Sequence, residues 1–204
     1  ESGKPVGTIY EISIYTMRRS ILIYGSRQYS ETIEHLAAEC GLNCAGKIDD
    51  FDTTGGQMRA REAFALAKTN NYRIAVGVGY RDLKLRSKLL KKIRESGVKM
   101  ETLIHPSASI GLETVIGEGS IVMAGATIGP GCKIGVGSVL WPNTCISHNS
   151  VIGQNVFLSP GCIICGNASI GSSSFIGAGS IIVDNGRLRS HSFIKMGTIY
   201  KARR

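Results

Sequence analysis

His148 is the first side chain to weigh for chemistry. It lies in the stretch Trp141-Pro-Asn-Thr-Cys-Ile-Ser-His-Asn-Ser-Val-Ile-Gly153, with Asn149 beside it. Imidazoles titrate near neutrality, so one held at a corner can take a proton from an amine or hydroxyl attacking a thioester. The plain alternative is a histidine solvated in a turn. Cys162 and Cys165 form a C-x-x-C, which invites a zinc or redox reading, but no second pair at metal spacing accompanies it. Asp49 and Asp50 close a short apolar run, either as a ligand contact or as a solvated strand end.

Charge narrows the partners. The chain carries 24 Lys and Arg against 15 Asp and Glu, a net +9. From His105 to Gly186, however, the only formal charges are Glu113, Glu118, Lys133 and Asp184. Basic residues collect between Lys84 and Lys99 and again in Arg187, Arg189, Lys195, Lys201, Arg203 and Arg204. Neither cluster is interleaved with aromatics, so a phosphorylated small molecule fits better than a nucleic acid. No run approaches the roughly 18 apolar residues of a membrane span, and no secretory pattern opens the chain. The expectation is a cytoplasmic protein, with residues 1–17 an upstream extension or expression remnant.

The elements that must position these residues fall into two halves. From Ile104 to Ile194 an aliphatic residue recurs at every sixth position, and the residue two before it is nearly always small. A six-residue period belongs to parallel β-helices. Glycine follows the aliphatic residue at 117, 135, 153 and 171, a spacing that implies three hexads per triangular coil. Residues 104–204 are therefore expected to form a left-handed parallel β-helix of hexapeptide repeats. That phase places Cys132 and Cys162 in the small inward slot and turns Cys145 and Cys165 outward in different coils, which argues against a metal site.

Residues 18–103 read as an α/β, Rossmann-like module. Ser20–Tyr24 is a buried-strand run followed by Gly25 and a helix with Ile33, Leu36, Ala37 and Cys40 on one face, closed by Gly41. Further strands are expected at 44–48 and 73–78. A helix over 82–96, with Leu83, Leu90 and Ile93 inward, stops at Gly97. Such a doubly wound sheet binds ligands at the carboxyl ends of its strands.

The stretches T-C-I-S-H-N-S-V-I-G (144–153), L-S-P-G-C-I-I-C-G-N-A-S-I-G (158–171) and F-I-G-A-G-S (175–180) carry a resemblance, as do I-D-D (48–50) and H-P-S-A (105–108). Together they resemble the sugar O- and N-acetyltransferases related to sialic acid O-acetyltransferase. Among these, the N-acetyltransferases of nucleotide-linked 4-amino sugars, of the bacillosamine and perosamine type, are the most similar. The likeness runs from about Arg18 to the end and is more specific in the repeats.

The resemblance implies a homotrimeric enzyme that joins acetyl-CoA to a nucleotide-linked amino sugar. Its general base falls on His148. The acidic neighbour of that base falls on Asn149, which carries no charge, and a second histidine falls on Phe157. The glycine whose N–H faces the thioester carbonyl falls on Gly166, and the slot for the pantetheine arm falls on Gly177, Ala178 and Gly179. On the sugar side the family's glycine-rich turn falls on Gly25, Ser26 and Arg27, its acidic pair on Asp49 and Asp50, and a later motif on Gly79, Tyr80 and Arg86. In the basic tail, Arg189, Lys195 and Lys201 serve either solubility or the phosphates of CoA. Two other functions stay open: O-acetylation of a sugar such as a sialic acid, and a non-catalytic trimeric scaffold.

Overall fold

The computed structural model describes residues 19–201, so the stretch 1–17 and the tail arginines 203 and 204 lie outside the described residues. The front half holds three parallel strands, β1 (Ser20–Tyr24), β2 (Asn43–Ile48) and β3 (Arg73–Val76), in the order β2-β1-β3. Three helices accompany them: α1 (Gln28–Glu39), α2 (Ala60–Asn70) and α3 (Leu83–Ser96). The helix α3 begins where Asp82 accepts the Leu85 N–H at 2.7 Å and ends at Gly97 with φ 76°. The helix α2 has no apolar stripe to mark it in the sequence, since its buried face is made only of Ala60, Ala63 and Ala67.

Alternation along β1 explains how this small sheet is buried on both faces. Leu22 and Tyr24 pack against the alanines of α2 and against Leu89, Leu90 and Ile93 of α3. Ile21 and Ile23 pack against Ile33, Leu36 and Ala37 of α1, together with Leu103, Ile121, Val139 and Phe157 from the second half. One face of the three-stranded sheet is thus covered in part by the repeat region, and the two halves share a hydrophobic cluster.

The second half is a left-handed parallel β-helix with three faces. Six two-residue strands from Leu103–Ile104 to Phe193–Ile194 stack on the first face and six from Ser109–Ile110 to Ile199–Tyr200 on the second. Five from Val115–Ile116 to Arg187–Leu188 make the third. Each strand pairs with the strand 18 residues away, as Ile146 does with Ile128 and Ile164. The inward aliphatic ladder is buried from Val122 to Leu188. Ile104 and Ile110 are partly exposed at the first coil, where no coil lies beneath them.

The small inward slot does more than fit. Ser120, Ser138, Ser150 and Ser180 each donate their hydroxyl to the carbonyl 15 residues ahead, at 2.7 to 3.0 Å. Cys132 and Cys162 use their thiols in the same way, toward Ser147 and Gly177. Corner carbonyls inside the prism are thereby satisfied, and both cysteines are accounted for as structural.

Two separate glycine demands follow from the coil. At 117, 135, 153 and 171 an added Cβ would come within 2.2 to 2.6 Å of the next coil's backbone, so coil-to-coil approach requires glycine there. A second series, every sixth residue from Glu113 to Gly197, has positive φ and is filled mostly by Gly or Asn. Asn149, at φ 56°, belongs to it. Among the described residues, no helix is long and apolar enough to cross a membrane.

Candidate active site

Seven of the eight expected sugar-side residues converge. Gly25, Ser26, Arg27, Asp49, Asp50, Gly79 and Tyr80 all line one cleft of about 1090 Å3 at the carboxyl ends of the three strands. Parallel strands that end together leave such a crevice at the order reversal of β2-β1-β3. Gly25 is required by the protein itself: a Cβ there would lie 2.5 Å from the Gly77 carbonyl oxygen. Arg27 is exposed at the start of α1, where free N–H groups and the helix dipole favour an anion.

The acidic pair divides its work. Asp49 accepts hydrogen bonds from Ser26 Oγ and from the N–H groups of Phe51 and Asp52. Burial works to raise its carboxyl, but those donors outweigh it and hold the group below the usual range. Asp50 is tied down further, by Tyr24 at 2.5 Å, Lys92 at 2.5 Å and the Ala60 N–H of α2 at 2.9 Å. Its carboxyl is likewise lowered, burial being outweighed first by Lys92 and Tyr24. Burial and then Asp50 push the Tyr24 hydroxyl upward. Asp50 therefore links β1, β2, α2 and α3 and shapes the cleft floor.

Arg86 does not reach the cleft, contrary to the expectation for it. It is fully buried and donates to the carbonyls of Val76, Val78 and Gly137 at 2.9 to 3.1 Å. A long side chain in a helix face that packs on the prism is drawn into the seam by those unsatisfied carbonyls. It becomes a tie between the halves.

A second cavity, a groove of about 600 Å3, adjoins the cleft at Tyr80 and Trp141. Gly177, Ala178 and Lys195 line it, as the pantetheine expectation requires of neighbours. Its wall is an aromatic ladder on the first prism face. Phe157 stacks on Phe175 with centroids 6.0 Å apart, Phe175 on Phe193 at 5.0 Å, and Tyr80 lies 4.9 Å from Phe175. Phe157, expected from the resemblance only as the replacement of a histidine, is the first of this ladder, and the 18-residue spacing of 157, 175 and 193 is its signal in the sequence.

His148 and Asn149 stand elsewhere, on the edge between the second and third faces, one face away from the groove. Gly166 occupies the same corner one coil on and Asp184 the next, joined by the Asn167 N–H to the His148 carbonyl and the Asn185 N–H to the Gly166 carbonyl. The His148 imidazole reaches up against Gly166. A Cβ on Gly166 would sit 2.7 Å from Cε1, 2.8 Å from Nε2 and 3.3 Å from Asp184 Oδ1. Gly166 thus has to be glycine to admit the ring. Its own N–H makes no hydrogen bond among the described residues.

Asn149 places Nδ2 3.5 Å from His148 Nδ1. Burial, then Asp184 and Cys145, push the Cys165 thiol up, which disfavours a thiolate beside this corner.

Comparison with known proteins bears on this geometry. Residues 113–148 and 149–184 match the family model of the bacterial transferase hexapeptide (six repeats). Comparison with the sequences of characterised proteins gives no match. Among solved structures, the chain is similar to the acetyltransferase domain of PglB from Neisseria gonorrhoeae FA1090 in complex with acetyl coenzyme A. That likeness has a TM-score of 0.81 and 24% identity and covers 90% of this chain and 91% of that one. It is also similar to PerB from Caulobacter crescentus in complex with CoA and GDP-perosamine, with TM-score 0.66 and 24% identity, covering 83% and 91%. At this identity the likenesses establish the shared fold.

Proposed function

Residues 113–184 carry the hexapeptide repeat of bacterial transferases, and from that premise we propose that the chain is an acetyl-CoA-dependent N-acetyltransferase acting on a nucleotide-linked amino sugar. The observation that carries the proposal is the contact of the His148 imidazole with Gly166, a base set against a free backbone N–H.

The chemistry follows from that contact. The amine lone pair attacks the thioester carbonyl carbon while His148 takes one amine proton. The carbonyl oxygen, gaining negative charge, is held by the Gly166 N–H. The adduct collapses with loss of the thiolate, which recovers the proton from the imidazolium. Positioned bases contribute on the order of 10²–10⁴ in rate, and one oxyanion donor about 10²–10³.

Two cavities suit the two substrates. The Rossmann-like front cleft offers Arg27 and the start of α1 to the diphosphate, with Ser26, Asp49, Gly79 and Tyr80 around the remainder of the nucleotide sugar. The groove offers Gly177, Ala178 and Lys195 to the acetyl-CoA arm. The PglB domain and PerB are described with acetyl-CoA or CoA bound, and PerB with GDP-perosamine as well, which supports this pairing of ligands.

The His148 edge lies one prism face away from the groove, which supports a cyclic trimer in which each copy brings its His148 edge to a neighbour's cavities.

Acetyl transfer from acetyl-CoA to a panel of UDP-, GDP- and dTDP-linked amino sugars, read by mass spectrometry, tests the proposal. The expected result is amide formation that falls about 10²–10⁴-fold in His148→Ala, with a trimer by sedimentation. Turnover unchanged by that substitution overturns the assignment of the base.

A further inference from the structure

The corner column places an unassigned carboxylate beside the base. His148, Gly166 and Asp184 are 18 residues apart in turn, on successive coils of one edge, and both His148 and Asp184 are exposed. The point above the Gly166 Cα lies 2.8 Å from His148 Nε2 and 3.3 Å from Asp184 Oδ1. The two groups do not pair directly: among the described residues no ion pair joins them. His148 Nε2 and Asp184 Oδ1 therefore both lie against the Gly166 backbone, with no side chain on Gly166 to stand between them.

Resting on the acyl-transfer reading above, we infer that Asp184 is the second acceptor for the attacking nitrogen and sets the preference for an amine over a hydroxyl. A sugar amine presents one lone pair and two N–H donors around its nitrogen. The lone pair attacks the carbonyl carbon, one hydrogen goes to Nε2 and the other points at Asp184. Positive charge that builds on nitrogen as the C–N bond forms meets a carboxylate. A hydroxyl has one donor only. Once its hydrogen serves His148, its remaining lone pair faces Asp184, and the two repel. A site with two acceptors thus discriminates through the partner left unpaired.

Asn149 is compatible with this assignment. Turned by half a rotation, its carboxamide oxygen accepts a hydrogen carried on Nδ1, and that tautomer leaves the Nε2 lone pair free. The neighbouring acid that the acetyltransferase family places at this position is therefore not needed to orient the ring. The one acidic group of this corner lies on the substrate side instead.

The test compares GDP-perosamine, and whichever panel amino sugar reacts best, with the same nucleotide sugars bearing a hydroxyl in place of the amine. The ratio of kcat/KM for amine to hydroxyl is measured in the wild type, Asp184→Asn and Asp184→Glu. The ratio is expected to fall at least about tenfold in Asp184→Asn, whose amide can donate to a hydroxyl oxygen, and to recover partly in Asp184→Glu. A ratio unchanged in Asp184→Asn, or a wild type that prefers the hydroxyl, overturns the inference.

A second readout needs no sugar. The 13C-labelled Cε1 resonance of His148 is titrated with methylammonium and with methanol. A response to methylammonium alone, lost in Asp184→Asn, supports the inference; no response in the wild type overturns it. Absence of acetyl transfer by the wild type to any sugar of the panel would instead remove the acyl-transfer reading.

Discussion

At the scale of single residues, the active corner is a matter of subtraction. Gly166 has no positive φ to explain it; it is glycine because an imidazole lies where its Cβ would be. Gly166→Ala is expected to leave the melting temperature nearly unchanged, since the obstructed group is the free end of an exposed side chain that can swing away. Turnover is expected to fall about 10²-fold, the effect of displacing a catalytic group by roughly 1 Å. Parallel thermal melts and acetyl-transfer rates check this, and a large loss of stability would show that Gly166 serves the coil. His148 and Gly166 were legible as residues, because a histidine and a glycine stand out in a repeat. Their contact was not, because it depends on how far the ring reaches up the stack.

At the scale of elements, the hexad sets two distinct glycine requirements that look alike in sequence. Gly153 faces the next coil, with a would-be Cβ 2.6 Å from the Ser172 backbone nitrogen. Gly179 turns a corner at φ 65° with nothing within 4 Å. Asparagine satisfies the second requirement and not the first. Gly179→Asn is therefore expected to be nearly neutral in urea denaturation, while Gly153→Asn costs about 1–3 kcal/mol by overpacking. Equal losses at the two positions would contradict the distinction.

The same reasoning changes the meaning of Asn149. Its replacement of an acid reads in the sequence as a weakened base. In the coil it is also a residue type well suited to a left-handed corner, one of a column with Asn167 and Asn185. The aliphatic period of six marks the ladder, and the weaker Gly and Asn period that runs beside it marks the left-handed corners.

At the scale of the molecule, the front half and the prism are one packed body at their seam. Arg86 is its centre, with support from the Asn155 amide on the Leu83 carbonyl and the Met100 N–H on Glu118. Burial works against the Arg86 charge, so its hydrogen bonds to three carbonyls have to offset that loss. Arg86→Met is expected to destabilise the protein by about 2–4 kcal/mol, because it leaves several buried acceptors without donors. Urea unfolding followed at Trp141, the lone tryptophan, and by far-UV circular dichroism should then split into two transitions. Coincident transitions at unchanged midpoint would remove Arg86 from this role.

The amino-acid sequence by itself determined the prism, its phase, the inward place of Cys132 and Cys162, and the strand ends that carry Gly25, Ser26, Asp49 and Gly79. The prism, its phase and the cysteines follow from periodicity, and the strand ends from short apolar runs and the family motifs; a chain displays all of these without being folded. Only the tertiary structure decided which residues meet. It buried Arg86 among carbonyls, tied Asp50 to Tyr24 and Lys92, and ran an aromatic ladder through Phe157, Phe175 and Phe193. It also stacked Asp184 two coils above His148. The physical reason is that contacts across coils and across the seam depend on side-chain reach and on the distance between packed layers. Neither quantity is written in the spacing of residues along the chain.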